Sequence, residues 1–559
     1  MIGLISATAA GAAARDRLAA AWPDRTHVYG GPVADAVRTA FAECEQLVCF
    51  LATGAVVRLV APLLDDKRTD PGVVCVDEGG RFAVSLVGGH GGANELARAV
   101  GEVLGAEPVV TTATDAVGLP GLDTLGLPVE GDVAGVSRAL LDGEPVALRA
   151  EVSWPLPPLP AAGEGAYAVR VTDRLVEPAE REVVLRPPSL VVGVGASKGA
   201  PVDEVLGLVE EALRDAGLSA VSVAELATVD AKAEEPGIVG AAERLGVPLV
   251  TYAAEELAGV EVPNPSDAPL AAVGTPSVAE AAALVGGGEL LVPKRKSAAA
   301  PAMATCAVVR RPGRGRLAVV GLGPGARDLV TPRAQAELRR ASVLVGLDQY
   351  VDQIRDLLRP GTRVLESGLG AEEERARTAV EEARRGHAVA LIGSGDAGVY
   401  AMASPALAEA SDDIDVVGVP GVTAALAAGA ILGAPLGHDH VSISLSDLHT
   451  PWEVIERRVR AAAEADIVVT FYNPRSRGRD WQLPKALAIL AEHREPATPV
   501  GVVRNASRAD ESSRLTTLAG LDPTTVDMMT VVTVGNTATR RIAGRMVTPR
   551  GYRWQEEPK

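Results

Sequence analysis

Short apolar runs alternate with amphipathic stretches along most of this chain. Between residues 1 and 145, runs such as "QLVCFLA", "GVVCVDE" and "FAVSLVGG" read as strands, and "ANELARAVGEVL" repeats its apolar positions at helical spacing. That alternation predicts an α/β layer fold with a largely parallel sheet. Over 146–188 the pattern breaks. Prolines in "SWPLPPLPAAGEGAY" and "LVEPAEREVVLRPP" interrupt helix and sheet, so this stretch reads as a connecting arm or small subdomain. A second α/β unit, 189–310, opens with the strand, glycine turn and helix of "SLVVGVGASKGAP" and "VDEVLGLVEEALRDAGL". Basic residues mixed with glycine and proline near 294–316 predict a solvated linker. A final α/β unit, 311–559, starts at "LAVVGLGPGARDLVTPRAQAEL" and divides into two subdomains near residue 438.

Composition narrows the function classes. A chain of 559 residues with 47% hydrophobic and 23% charged content is globular and multidomain. Its net charge of -18 argues against a general nucleic-acid binder, which needs clustered cations to neutralise phosphates. The opening "MIGLISATAAGAAARDRL" has no basic region before its apolar run, and nothing later approaches the ~20 apolar residues of a membrane span. The expectation is a cytoplasmic protein with no membrane partner. The four cysteines, Cys44, Cys49, Cys75 and Cys306, lack C-x-x-C spacing and predict plain thiols. "GHDH", with His438 and His440 two apart in a loop, has poor zinc spacing and reads as a hinge, so no metal site is expected.

Gly321, Gly323 and Ala326 satisfy the dinucleotide pattern G-x-G-x-x-[G/A], and Asp348 follows at about the distance of the ribose-binding acid. An oxidoreductase is therefore one reading. In that fold, however, the helix begins inside the glycine loop so that its amides meet the pyrophosphate. Here Thr331 is a good N-cap and Pro332 suits the first helical position, which puts the helix start roughly eight residues after Gly323. Two more small-residue loops, "GSGDAGVY" (Gly393–Tyr400) and "PGVTAA" (Pro420–Ala425), also follow apolar strands. Three such loops on one sheet edge predict a ligand held at the carboxyl ends of the strands.

With "GLGPGARDLVT", "SGDAGVY", "PGVTA" and "FYNPRSRGR", residues 316–555 resemble the tetrapyrrole methyltransferase family. The last motif, with "LSDLHTPW", is most similar to precorrin-3B C(17)-methyltransferases and their cobalt-containing anaerobic counterparts, which contract the corrin ring in cobalamin synthesis. The resemblance implies a two-subdomain methylase fold, a homodimer, and S-adenosylmethionine held mainly by backbone groups. By motif position it assigns the cofactor to Pro324, Ser394, Gly395, Asp396, Val399, Thr423 and Ala424, and less directly to Tyr472 and Thr516. Asp396 has an alternative role, binding its own turn. Asp447, His449 and Asn473 are the candidates for acid–base work in ring contraction, His449 first; capping or plain surface exposure is the competing reading for that histidine.

"ATGAVVRLVAPLLDDKRTDPGVVCVDEGGRFAVSLVGGHGGANELA" (Ala52–Ala97) resembles the cobalt-precorrin-5A hydrolases, which open a δ-lactone and release acetaldehyde. "LATVDAKAEEPGI" and "GTPSVAEAAALVGGGELLVPKRKSA" extend the likeness over most of residues 1–310. Family members commonly carry Cys-Arg where this chain has Ala196 and Ser197, which removes a cation. His90 and Glu95 are the candidates for acid–base work on the lactone, and Arg58, Lys67 and Lys198 for binding carboxylates of a corrinoid substrate, metal-free or cobalt-bound. A non-catalytic corrinoid-binding module is the competing reading of this half.

Overall fold

Residues 1–66, 69–89, 92–111, 118–266, 270 and 274–551 are described by a computed structural model. The chain clusters into two units, one of Met1–Val152 with Leu159–Pro312 and one of Ser153–Pro158 with Gly313–Lys559. Candidate residues Lys67 and His90 lie outside the described residues.

In the first unit, Thr26–Val28, Ile2–Ser6, Gln46–Phe50 and Gly72–Val76 are parallel neighbours. Phe82–Val87 then runs antiparallel to Gly72–Val76 and pairs in parallel with Glu107–Val109, so the sheet is largely parallel, as expected, with one antiparallel pair. The connection explains this. Asp77 Oδ1 accepts the amides of Arg81 and Phe82, each at 2.7 Å, closing a turn too short for the crossover a parallel pair needs.

The stretch read as a connecting arm or small subdomain over 146–188 carries three strands, Val146–Ala150, Tyr167–Val171 and Glu182–Leu185. They join Val129–Gly131 in a four-stranded sheet on which helix Val133–Asp142 packs, so this layer begins upstream of the proline-rich segment. Prolines interrupt only its connections, at 145, 155–160, 178 and 187–188. Buried Arg186 fastens the layer, with Nε and Nη2 on the two oxygens of Glu130 at 3.1 and 2.8 Å.

A third sheet places Leu249–Tyr252, Val223–Val229 and Leu190–Ala196 in parallel, followed by the antiparallel strands Ala304–Arg310 and Glu289–Lys296. The linker expected over 294–316 is therefore largely a hairpin. Its Arg310 is not solvated: Nε and Nη2 meet fully buried Asp173 at 2.6 and 2.8 Å. Burial by itself would raise the Asp173 carboxyl, but Arg310 and the Ser189 hydroxyl overcome it and hold it below the usual carboxylate range.

In the second unit, five parallel strands stand in the order Arg363–Ser367, Val343–Leu347, Ala388–Gly393, Arg316–Gly321, Asp415–Val419. The central strands are continuous apolar runs because both faces are covered. Helix Ala424–Leu432 leads to a second, mixed sheet ordered His440–Ser444, Val468–Tyr472, Thr530–Val534, Pro499–Arg504, Ser512–Thr517. No helix among the described residues is long and apolar enough to cross a membrane.

Candidate active site

The three small-residue loops of the second unit meet at the carboxyl edge of the parallel sheet. Gly323 and Gly395 exchange backbone hydrogen bonds of 3.0 and 2.8 Å. A Cβ on Gly421 would stand 2.1 Å from the Gly395 carbonyl oxygen and 2.8 Å from the Gly321 carbonyl carbon. Only hydrogen at that position lets the loops touch. The helix after the first loop begins at Pro332, and the Thr331 hydroxyl accepts from the Ala334 amide at 3.1 Å. The helix start thus stands away from the glycines, and Asp348, exposed, accepts from the amide of its own neighbour Gln349. Neither feature of a pyrophosphate seat is present.

The side chains named from sequence are partly engaged already. Asp396 accepts from Gly398 N at 2.8 Å through Oδ1 and from Gly421 N at 3.0 Å through Oδ2, which ties two loops together and fulfils the turn-forming alternative. The Val399 amide donates to the Asp396 carbonyl at 3.1 Å. Thr423 caps helix Ala424–Leu432, and its hydroxyl lies 2.5 Å from the Tyr472 hydroxyl, which also accepts from Ala425 N at 2.8 Å. The Tyr472 ring packs at 5.2 Å from Tyr400, whose hydroxyl donates to the Ser442 carbonyl. The Pro324 carbonyl accepts from Arg508 Nε at 3.1 Å. Thr516 stands apart. It sits on the edge strand opposite Val500, separated from the strand of Tyr472 by two others, about 14 Å across the sheet.

A second cluster forms where strands His440–Ser444 and Val468–Tyr472 end. Asn473, at φ 49°, donates to Ser444 Oγ at 3.1 Å, and Gln482 Nε2 donates to Asp447 Oδ2 at 2.9 Å. Arg479 donates to the Leu445 and Asn473 carbonyls at 3.0 and 2.5 Å. Burial lowers its pKa, and the Asp447 charge opposes that shift. His449 is exposed and has no hydrogen bond among the described residues. Arg479, Gln482, Tyr350, Tyr400 and Arg508 were not found from the sequence. Of these, Tyr400 and Arg479 lay inside quoted motifs, "GSGDAGVY" and "FYNPRSRGR", at whose ends they stand.

In the first unit, Glu95 sits on the first turn of helix Ala93–Leu104 with Arg98 at 3.4 Å, and Arg58 donates to the Gly54 carbonyl of its own helix. Lys198 is exposed, while the neighbouring Gly199 amide donates to Glu235 Oε1 at 2.6 Å and Lys232 holds the other oxygen at 3.3 Å. These groups belong to three separate strand ends and are not joined by any described contact. The His438 ring accepts from the adjacent Asp439 amide and His440 contacts the His438 carbonyl, which is local turn bonding. No group of three metal-ligating side chains occurs among the described residues.

An edge of bare backbone at the carboxyl ends of a parallel sheet, joined to a mixed sheet through Tyr472, has its match among known proteins. The chain belongs to the tetrapyrrole (corrin/porphyrin) methylases, whose description fits residues 316–522. More particularly, it is 47% identical over 239 residues to the probable cobalt-factor III C(17)-methyltransferase of Salmonella typhimurium, covering 99% of that protein and 42% of this chain. Identity to the precorrin-3B C(17)-methyltransferase of a Sinorhizobium species is 40% over 250 residues, 97% of that protein and 43% of this chain. Several longer relatives are spanned over about half of their length. The crystal structure of the methyltransferase CobJ is 40% identical, with 42% of this chain and 100% of that one covered at a TM-score of 0.41. Residues 35–115 and 190–309 match the cobalamin synthesis G N-terminal and C-terminus families.

Proposed function

We propose that the second unit transfers a methyl group to carbon 17 of precorrin-3B or cobalt-factor III, with contraction of the ring. The observation that carries this reading is the meeting of three glycine loops, backbone against backbone, at one sheet edge. When bound there, S-adenosylmethionine supplies an electrophilic methyl group: a carbon–carbon bond forms as the carbon–sulfur bond breaks and its electron pair stays on sulfur. Bare backbone suits a ligand held by main-chain groups, and in-line transfer asks mainly for positioning. Pro324, Ser394, Gly395, Asp396, Val399, Thr423 and Ala424 line that edge in this reading, with Tyr472 locking the start of helix Ala424–Leu432. Asp447, oriented by Gln482, is better supported than exposed His449 as the group that moves a proton during ring contraction.

The first unit, on this reading, is a cobalt-precorrin-5A-type hydrolase: water opens the lactone and a two-carbon fragment leaves as acetaldehyde. His90 and Glu95 would serve as acid and base, with Arg58, Lys67 and Lys198 receiving carboxylates. The whole is a cytoplasmic, homodimeric enzyme of cobalamin synthesis with a small-molecule substrate. Incubation of the full chain with labelled S-adenosylmethionine and either precorrin-3B or cobalt-factor III tests the first activity. Label in one of the two products is expected, and label in neither rejects it. Acetaldehyde release from the lactone-bearing intermediate tests the second activity, and binding without release returns the first unit to a corrinoid-binding module.

A further inference from the structure

Arg508 differs from the other inward-facing arginines of the second unit. Arg494 donates to the Gly535 and Ile467 carbonyls, each at 2.6 Å, and Arg375 to Ser367 Oγ and the Gly368 carbonyl at 3.0 and 2.9 Å. Arg479 is occupied in the same way. Each spends several of its donors on the fold. Arg508 is half-buried and spends one: Nε donates to the Pro324 carbonyl at 3.1 Å. Its side chain lies against Gly325, where a Cβ would come within 2.5 Å of Arg508 Cγ and where φ is 145°.

Two acids follow closely but are committed elsewhere. Asp510 Oδ2 takes Asn505 Nδ2 at 2.6 Å and Arg504 Nη1 at 3.3 Å, and Glu511 Oε2 takes the Ser507 amide at 2.7 Å. Arg508 therefore has no ion-pair partner among the described residues. Burial raises the Tyr350 phenol, and the Arg508 charge and the Ser394 hydroxyl work against that rise.

A guanidinium pinned through Nε keeps its two terminal nitrogens for a planar, two-oxygen acceptor. We propose that Arg508 is a carboxylate receptor of the methyl-transfer site, taking an acetate or propionate side chain of the macrocycle. The inference rests on the methyltransferase reading above. A carboxylate could also come from the amino-acid end of the methyl donor, and the two sources are separable.

The test uses the full chain with Arg508→Met, which keeps bulk and loses the fork, and Arg508→Lys, which keeps charge and loses the second donor. Four quantities are compared: KM for the tetrapyrrole, kcat, S-adenosylhomocysteine affinity by calorimetry, and the thermal unfolding midpoint. Arg508→Met is expected to raise KM at least about tenfold with S-adenosylhomocysteine affinity unchanged, and Arg508→Lys to recover part of the loss. Weaker S-adenosylhomocysteine binding at unchanged KM keeps the receptor and assigns the carboxylate to the donor. Unchanged KM and affinity in both variants overturns the proposal, as does a fall confined to kcat and the unfolding midpoint, which marks a purely structural clasp. A wild-type chain that methylates neither substrate tells against the underlying reading; normal turnover with indifferent variants tells against Arg508 alone.

Discussion

Two glycine turns of this molecule look alike in sequence and differ in what they build. "VGGHGGANELA" and "GLGPGARDLVTP" each leave a strand, pass through glycines and reach a helix. At the first, Gly88 lies at φ 73° with a would-be Cβ 2.6 Å from the Pro71 carbonyl oxygen, so its missing side chain lets adjoining strand ends of one sheet close up. At the second, the close approaches are made to loops that follow two other strands, as Gly421 against Gly395 and Gly321 shows. In the first turn the glycines serve the closure of one sheet, and the chemistry proposed there falls to side chains; in the second, several strands deliver bare backbone to one place, which suits a ligand held by main-chain groups.

Four substitutions test that contrast, in order of expected effect. Gly421→Val, which drives a side chain into the Gly395 carbonyl, should lower methyl transfer at least about hundredfold by displacing the loops, measured as kcat/KM. Wild-type turnover in this variant would remove the loop edge from the site. Asp173→Asn leaves Arg310 without its buried partner and should cost about 3 kcal/mol of first-unit stability in denaturant titration, with S-adenosylhomocysteine affinity unchanged. The Asp173 carboxyl is depressed in the fold, so its stabilisation is complete above the unfolded value, about 3.9, and disappears as pH falls through the lower folded value. The Asn variant should lose that part of the acid dependence; an identical acid profile would contradict the assignment.

Gly88→Ala places a side chain at positive φ against the Pro71 backbone and should cost about 2 kcal/mol without changing methyl transfer. A loss of transfer at unchanged stability would erase the distinction between the two turns. Tyr472→Phe removes the hydroxyl that meets Thr423 and Ala425 and should weaken S-adenosylhomocysteine binding severalfold, about 1 kcal/mol by calorimetry. Unchanged affinity would confine Tyr472 to packing with Tyr400.

The legible parts of the chain were those written in local signals. Thr331 and Pro332 announced a helix start through capping chemistry, and the Ala334 amide does bond to the Thr331 hydroxyl. Apolar runs ending in small residues announced the strand ends that meet at the glycine edge. The sheet over 129–185 was obscured because its strands are short and its prolines fall in the connections between them. Arg310 read as part of a solvated basic run because its partner, Asp173, is 137 residues away. The bond between Arg508 and Pro324 spans 184 residues, and no spacing rule reaches that far. The dinucleotide pattern at Gly321, Gly323 and Ala326 was sound as a statement about close approach, but the helix that follows begins at Pro332, away from the glycines.

Calorimetry of the full chain with S-adenosylhomocysteine, and in parallel with reduced and oxidised nicotinamide dinucleotides, tests the role of the glycine edge most directly. Saturable binding of S-adenosylhomocysteine that is lost in Gly421→Val, with no heat from either dinucleotide, is the predicted result. Dinucleotide binding that Gly421→Val abolishes, with no heat from S-adenosylhomocysteine, would contradict it.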